Sequence, residues 1–140
     1  MTIEEFRNYC LSKPGSKESF PFDEDVLVFK VLNKMFALTS LKKWEEGDHS
    51  INLKCDTDKA VELREKYPDS VFPGYHMHKK HWNTVVIENS DLTEKYIKYL
   101  INHSFELVVS KLPKKDKAKL DSFNANLPDG RQGRKGPKNI

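Results

Sequence analysis

Tyr96, Leu100, Ile101, Phe105, Val108 and Leu112 recur at helical spacing, which predicts one long amphipathic helix over Leu92–Leu112, capped by Asp91. A helix with a single apolar face this long must lay it on another layer, and the rest of the chain offers strands for that purpose. Glu18–Phe22, Val26–Val31 and Met35–Ser40 are rich in Phe, Val and Leu, with Asn33-Lys34 placed for a tight turn between the last two. Ser50–Cys55 alternates as a fourth strand and Trp82–Glu88 as a fifth, while Trp44–Asp48 reads as a polar loop. Thr2-Ile-Glu-Glu5 is a capping box, followed by Ile3, Phe6, Tyr9 and Cys10 at helical spacing until Pro14-Gly15. Asp56 can cap a further helix that runs to about Tyr67 and stops at Pro68, and Pro113 can open a short last one. Helix, strands, helix, strand, helix is the order of an α+β domain: a mainly antiparallel sheet of about five strands with helices on one face.

At 140 residues with 37% hydrophobic content, the chain can build one core. The domain is expected over residues 1–122, with 123–140 a disordered basic tail rich in Gly, Pro and cations. The net charge of +3 is unevenly spread. Residues 1–110 hold 15 Lys/Arg against 18 Asp/Glu, and residues 111–140 hold nine against three. The body is therefore mildly acidic and the C-terminal stretch basic, an unusual arrangement for a strong nucleic-acid footprint on the folded face. No apolar run approaches the roughly 18–20 residues that span a bilayer. MTIEEFRNYC lacks the basic and apolar regions of a signal peptide. With only Cys10 and Cys55 and no CxxC pair, reduced thiols in a cytoplasmic, monomeric protein are expected.

Candidate chemistry concentrates in Pro73–Val85, PGYHMHKKHWNTV. His76, His78 and His81 could grip a borderline metal, but Lys79 and Lys80 repel a cation and no second ligand pair completes a closed site. No metal and no cofactor are expected. Lys79 and Lys80 could instead neutralise phosphate, with His76 and His81 beside them and Tyr75 or Trp82 stacking on a base. Lys42 and Lys43 beside Trp44 form a second basic-aromatic group, which would join the first if both loops lay at one end of the sheet. Against a stacking role, Trp82 and Val86 at period two are expected to pack on the Ile101–Phe105–Val108 stripe. Asp23-Glu24-Asp25 reads as turn chemistry rather than an ion site. There is no G-x-S-x-G, Walker or dinucleotide motif, and a Cys55–His nucleophile pair rests on no motif, so no enzyme is expected.

Tyr75, His76, Met77, Lys79, His81, Trp82, Thr84 and Val85 together resemble the signature of the MmcQ/YjbR group of small bacterial proteins, with His78 standing where that group usually has Asn. The resemblance implies a frataxin-like (CyaY-like) fold over residues 1 to about 122 and a DNA-binding role. It does not carry over the iron chemistry of frataxin, since function resides in the site and not in the fold. DNA is thus the expected partner of a non-enzymatic domain. The alternative is a protein-interaction or small-anion-binding module that uses the Tyr75–Trp82 connector.

Overall fold

The computed structural model describes residues 1–74, 77–88 and 90–125. The first helix, α1 (Ile3–Leu11), starts at the predicted capping box. Thr2 Oγ1 accepts the Glu5 N–H at 3.0 Å, and Glu5 Oε1 accepts the Thr2 N–H at 2.8 Å. Strands β1 (Ser16–Ser19), β2 (Val26–Val31) and β3 (Lys34–Ser40) follow, then a short helix α2 (Leu41–Glu45), strand β4 (Ser50–Lys54) and helix α3 (Thr57–Lys66). The chain continues through β5 (Val71–Pro73), β6 (Trp82–Val86), α4 (Glu94–Ser110) and α5 (Lys114–Ala125). All strands pair antiparallel in one open sheet of order β1-β2-β3-β4-β6-β5.

The α+β architecture agrees with the sequence reading, with six strands where five were expected. The added strand, β5, is three residues long and lies at the sheet edge, where Pro73 costs no ladder hydrogen bond. The β2–β3 turn is centred one residue earlier than predicted, on Leu32 and Asn33, both at positive φ (46° and 71°), the backbone of a tight hairpin turn. Thr93 rather than Asp91 caps α4, its hydroxyl taking the Tyr96 N–H at 3.0 Å. Leu41–Glu45 is a short helix capped by Ser40, and it takes in Trp44 and Glu45 of the expected polar loop. The expected tail begins inside α5 at residue 123, and residues 126–140 lie outside the described residues.

The main core occupies the helical side of the sheet. Phe6 and Cys10 of α1, Ala60 and Leu63 of α3, and the apolar stripe of α4 join Leu27, Phe29, Val31, Ile51, Leu53 and Val85 in one buried cluster. Edge-on ring pairs tie the layers together: Phe6 on Phe29 at 5.4 Å and Phe36 on Phe105 at 5.2 Å. Phe36 reaches the core through a β-bulge. Phe29 pairs with Ala37 and Lys30 with Met35, so Phe36 is the extra residue and turns inward. Leu112 and Leu120 bring α5 into the same cluster.

His103 of α4 supports the start of α3, where its Nε2 accepts the Asp56 N–H at 3.2 Å. Burial first, then Lys59, holds this imidazole below its ordinary 6.5, with Asp56 pulling weakly the other way. Because the fold disfavours the protonated ring, the unfolded chain takes the proton first. The contribution of His103 to stability is thus complete above pH 6.5 and declines as pH falls from there towards the lowered value. His103→Gln keeps a polar side chain without the titration, so its stability relative to the parent should rise as pH drops from about 7.5 to about 5.5. Urea midpoints at the two pH values check this, and a constant difference would contradict it.

Candidate functional site

The antiparallel register decides which loops meet. Lys34 opens β3, Lys54 closes β4 and Trp82 opens β6, directly opposite Lys54. The start of β3, the end of β4 and the start of β6 therefore share one end of the sheet. Ser104 fixes α4 above it, accepting the Lys54 N–H at 2.9 Å while donating to the Phe36 carbonyl at 2.5 Å. Two turns further on, about 10 Å along the helix axis, Lys111 caps α4 over the same end.

The connector reaches this end as a compact turn. Gly74 N–H donates to the Trp82 carbonyl at 2.9 Å, His81 N–H to the His78 carbonyl at 2.9 Å and Trp82 N–H to the same carbonyl at 3.0 Å. Lys79 and Lys80 stand exposed at the tip. From α3, Arg64 Nε donates to Asn83 Oδ1 at 2.7 Å and its Nη2 to the Lys79 carbonyl, clamping the turn to the domain. The His81 carbonyl accepts the Cys55 N–H at 2.7 Å, and the His78 and His81 rings lie 4.8 Å apart.

Gly74 is where strand and connector come closest. A Cβ there would sit 3.0 Å from Trp82 Cβ and 3.1 Å from the Trp82 carbonyl oxygen. Gly74→Ala is expected to destabilise the domain by about 1–3 kcal/mol, the usual cost of forcing a methyl into a filled site. Chemical denaturation reads this directly, and an unchanged midpoint would contradict the close approach.

Electrostatically, this end is a convergence of cations. Burial lowers the pKa of Lys54, and Lys111 and Lys34 lower it further. His81 is likewise held down by burial and then by His78, Lys54, Lys111 and Lys80. The leading charges acting on both groups are thus positive and come from four separate elements. Mutual repulsion of this kind costs stability, and an arriving anion relieves it. The same field works against a divalent cation on His78 and His81. His76, the third member of the expected imidazole group, and Tyr75 lie outside the described residues. The adjoining α5 exposes Lys114, Lys115, Lys117 and Lys119, so part of the basic charge of the C-terminal stretch belongs to a helix of the domain.

Two expectations are corrected. Lys42 and Lys43 do not join Lys79 and Lys80. They follow the end of β3, at the opposite end of the sheet, where Asp25 Oδ1 accepts the Lys42 N–H at 2.6 Å. Trp44 beside them is buried, its Nε1 donating to Thr39 Oγ1 at 2.8 Å and its ring stacked on His49 at 4.4 Å. Nor does Trp82 face the α4 stripe. It is buried on the other side of the sheet with Val28 and Leu38, flanked by Val26, Met35 and Met77. Strand alternation then turns Asn83 inward, where Arg64 occupies its oxygen and its Nδ2 donates to the Ala60 carbonyl at 3.4 Å. Trp82 is 6% exposed and offers little surface for a base to stack on.

The remaining candidates have ordinary structural roles. Asp23 Oδ1 accepts the N–H groups of Asp25 and Val26, both at 2.9 Å, as a turn residue should. Burial pushes the Cys55 thiol up to about 11 and the Cys10 thiol higher still, which disfavours a nucleophilic thiolate at either. Reading along the chain missed Lys34, Lys54 and Lys111. Each is an isolated cation in sequence, and only its position at the end of an element signals where it points.

An open six-stranded antiparallel sheet with helices packed on one side and a clamped His-Lys connector at its end defines a small α+β domain class. Residues 11–107 match the YjbR family model, and the chain belongs to that family. It is 36% identical over 120 residues to the uncharacterised protein YjbR of Escherichia coli K12, covering 86% of this chain and 97% of that one. It is 37% identical over 117 residues to the uncharacterised protein YbdF of Escherichia coli O157:H7, covering 84% and 92%. The crystal structure of the Deinococcus radiodurans protein DR2400, with a DUF419 domain, superposes with a TM-score of 0.78 at 35% identity, covering 97% of this chain and 96% of that one. A Pseudomonas syringae protein superposes at 0.62 with 30% identity, covering 76% and 98%.

Proposed function

We propose that the basic end of the sheet binds the phosphate backbone of nucleic acid, and that the domain is a non-enzymatic DNA-associated module. The observation that carries this reading is the gathering of Lys34, Lys54, Lys80, Lys111 and His81 at one end of the sheet, where, after burial, Lys111 and Lys34 act on Lys54, and His78, Lys54, Lys111 and Lys80 act on His81. Exposed lysines of α5 extend the positive surface, and residues 126–140 add three further net charges, with four Lys/Arg against one Asp. Affinity in this reading comes from counterion release and is largely independent of sequence. Trp82 contributes by holding the connector in place, not by stacking. The same reading places the protein in the cytoplasm as a monomer. Among the described residues no helix is long and apolar enough to cross a membrane. A one-sided antiparallel sheet supports the frataxin-like expectation.

A titration of fluorescent duplex and single-stranded DNA tests the proposal. Affinity should fall steeply with salt, and deleting residues 126–140 should weaken binding uniformly across sequences without abolishing it. No binding at low salt would remove the reading. Salt-insensitive binding of a small anion at Lys54, a half-buried cation, would favour the alternative of an anion-binding domain.

A further inference from the structure

On the helical side of the domain, between α1 and α4, lies a groove of about 440 Å³, within the size range of small-molecule sites. Its walls are Tyr9 on one side and Tyr96 with Tyr99 on the other, the latter two rings stacked at 5.4 Å with an interplanar angle of 23°. Asn102, 4% exposed, forms part of the lining. Its Oδ1 accepts from Tyr9 Oη at 2.7 Å and from Lys13 Nζ, so the pocket floor is pinned to both helices. Lys95 and Lys98 stand at the rim. Lys111 of the basic sheet end is 12 residues beyond Tyr99, about 18 Å along the helix.

The chemistry narrows the ligand. Tyrosine faces favour a planar ring. A cationic ligand is opposed because ammonium groups already lie over these rings: Lys13 is 4.6 Å and Lys98 5.3 Å from the Tyr9 centroid, and Lys59 is 4.9 Å from that of Tyr99. Charge at the rim is moderate rather than intense, since Glu94 pairs with Lys98 at 3.3 Å and Glu5 also feels Lys98. A single anionic group can share or replace the Glu94 contact. A polyphosphate would meet too few cations and too many carboxylates. We infer that this groove binds a small planar aromatic molecule bearing one anionic group, a carboxylate or one phosphate, with Tyr9, Tyr96 and Tyr99 enclosing the ring and Lys95 and Lys98 meeting the anion.

Calorimetry on the full chain with indole-3-carboxylate and adenosine monophosphate tests this, with indole-3-carboxamide and acetate as neutral-ring and ring-free controls. At least one aromatic anion should bind at millimolar or lower concentration while both controls bind at least tenfold more weakly, and which anion binds separates carboxylate from phosphate. Lys95→Gln with Lys98→Gln should weaken binding about tenfold, as expected for removing charge-assisted contacts. Tyr99→Ala, at a partly exposed position, should do the same by removing one wall. Both variants should melt as the parent does. The groove is independent of the basic sheet end, so replacing Lys34, Lys54, Lys80 and Lys111 by Gln should leave this affinity unchanged. Failure of both anions to bind, equal binding of the carboxamide, or indifference to Lys98 and Tyr99 would overturn the inference.

Discussion

Trp82→Ala is expected to destabilise the domain by about 3–5 kcal/mol, the usual loss for truncating a buried aromatic side chain. The reason differs from the one that sequence periodicity supplies. Trp82 does not fill the core under α4. It forms, with Val28 and Leu38, a second buried cluster on the sheet face that none of the described helices covers, closed from outside by Val26, Met35 and Met77. Removing the indole opens that cluster to water and takes away part of the surface on which Met77 of the connector packs. Because the two clusters lie on opposite faces, Phe105→Leu on the helical side should add to the loss nearly independently. Urea unfolding of the single and double variants measures both quantities. A Trp82→Ala midpoint equal to that of the parent would show that the outer cluster contributes nothing and would make Trp82 a ligand-facing residue again.

Replacing Lys34, Lys54, Lys80 and Lys111 together by Gln is expected to lower affinity for duplex DNA by about 100- to 1,000-fold at low salt. It should also reduce the slope of log affinity against log salt by about three to four, near 0.9 for each phosphate no longer neutralised. Lys42→Gln with Lys43→Gln should change both by little, because these residues lie at the far end of the sheet. Loss of fold cannot account for the difference. Lys34 and Lys111 press on Lys54, and Lys54, Lys80 and Lys111 press on His81, so neutralising the four lysines should leave the melting temperature unchanged or raise it. Equal losses for the two variants would mean that binding reflects overall charge and not this end of the sheet.

Much of the fold is legible in the residues because local signals and tertiary packing agree. The Thr2–Glu5 capping box, the Asp56 cap and the α4 stripe all act within a few residues, and each lies where its chemistry requires. The face taken by Trp82 is not legible in the same way. Alternation in Trp82–Val86 sorts the side chains into two sets without saying which set faces the helices. The Trp-bearing set looks the more apolar. What turns Asn83 inward instead is Arg64 and the Ala60 carbonyl, both supplied by α3 some 20 residues earlier. β5 is too short to show a period, and the Leu32–Asn33 turn places a leucine where propensity would put glycine or asparagine. Of the candidate site, the dense connector is plain in the sequence, whereas Lys54 and Lys111 join it only through the β4–β6 register and the Ser104 bridge. The tyrosine groove is hidden for the same reason, because Tyr9 and Asn102 meet across 93 residues.

The most direct test of the central claim is an amide NMR titration of the full chain with a short DNA duplex at low salt, followed residue by residue. Shifts should concentrate at Lys34, Lys54, Lys80, His81 and Lys111 and along α5, and should collapse when salt is raised. Lys42, Lys43 and the tyrosines of the α1–α4 groove should stay unmoved. Shifts centred on Lys42 and Lys43, or none at any residue of the basic sheet end, would contradict the assignment of that end as the nucleic-acid interface.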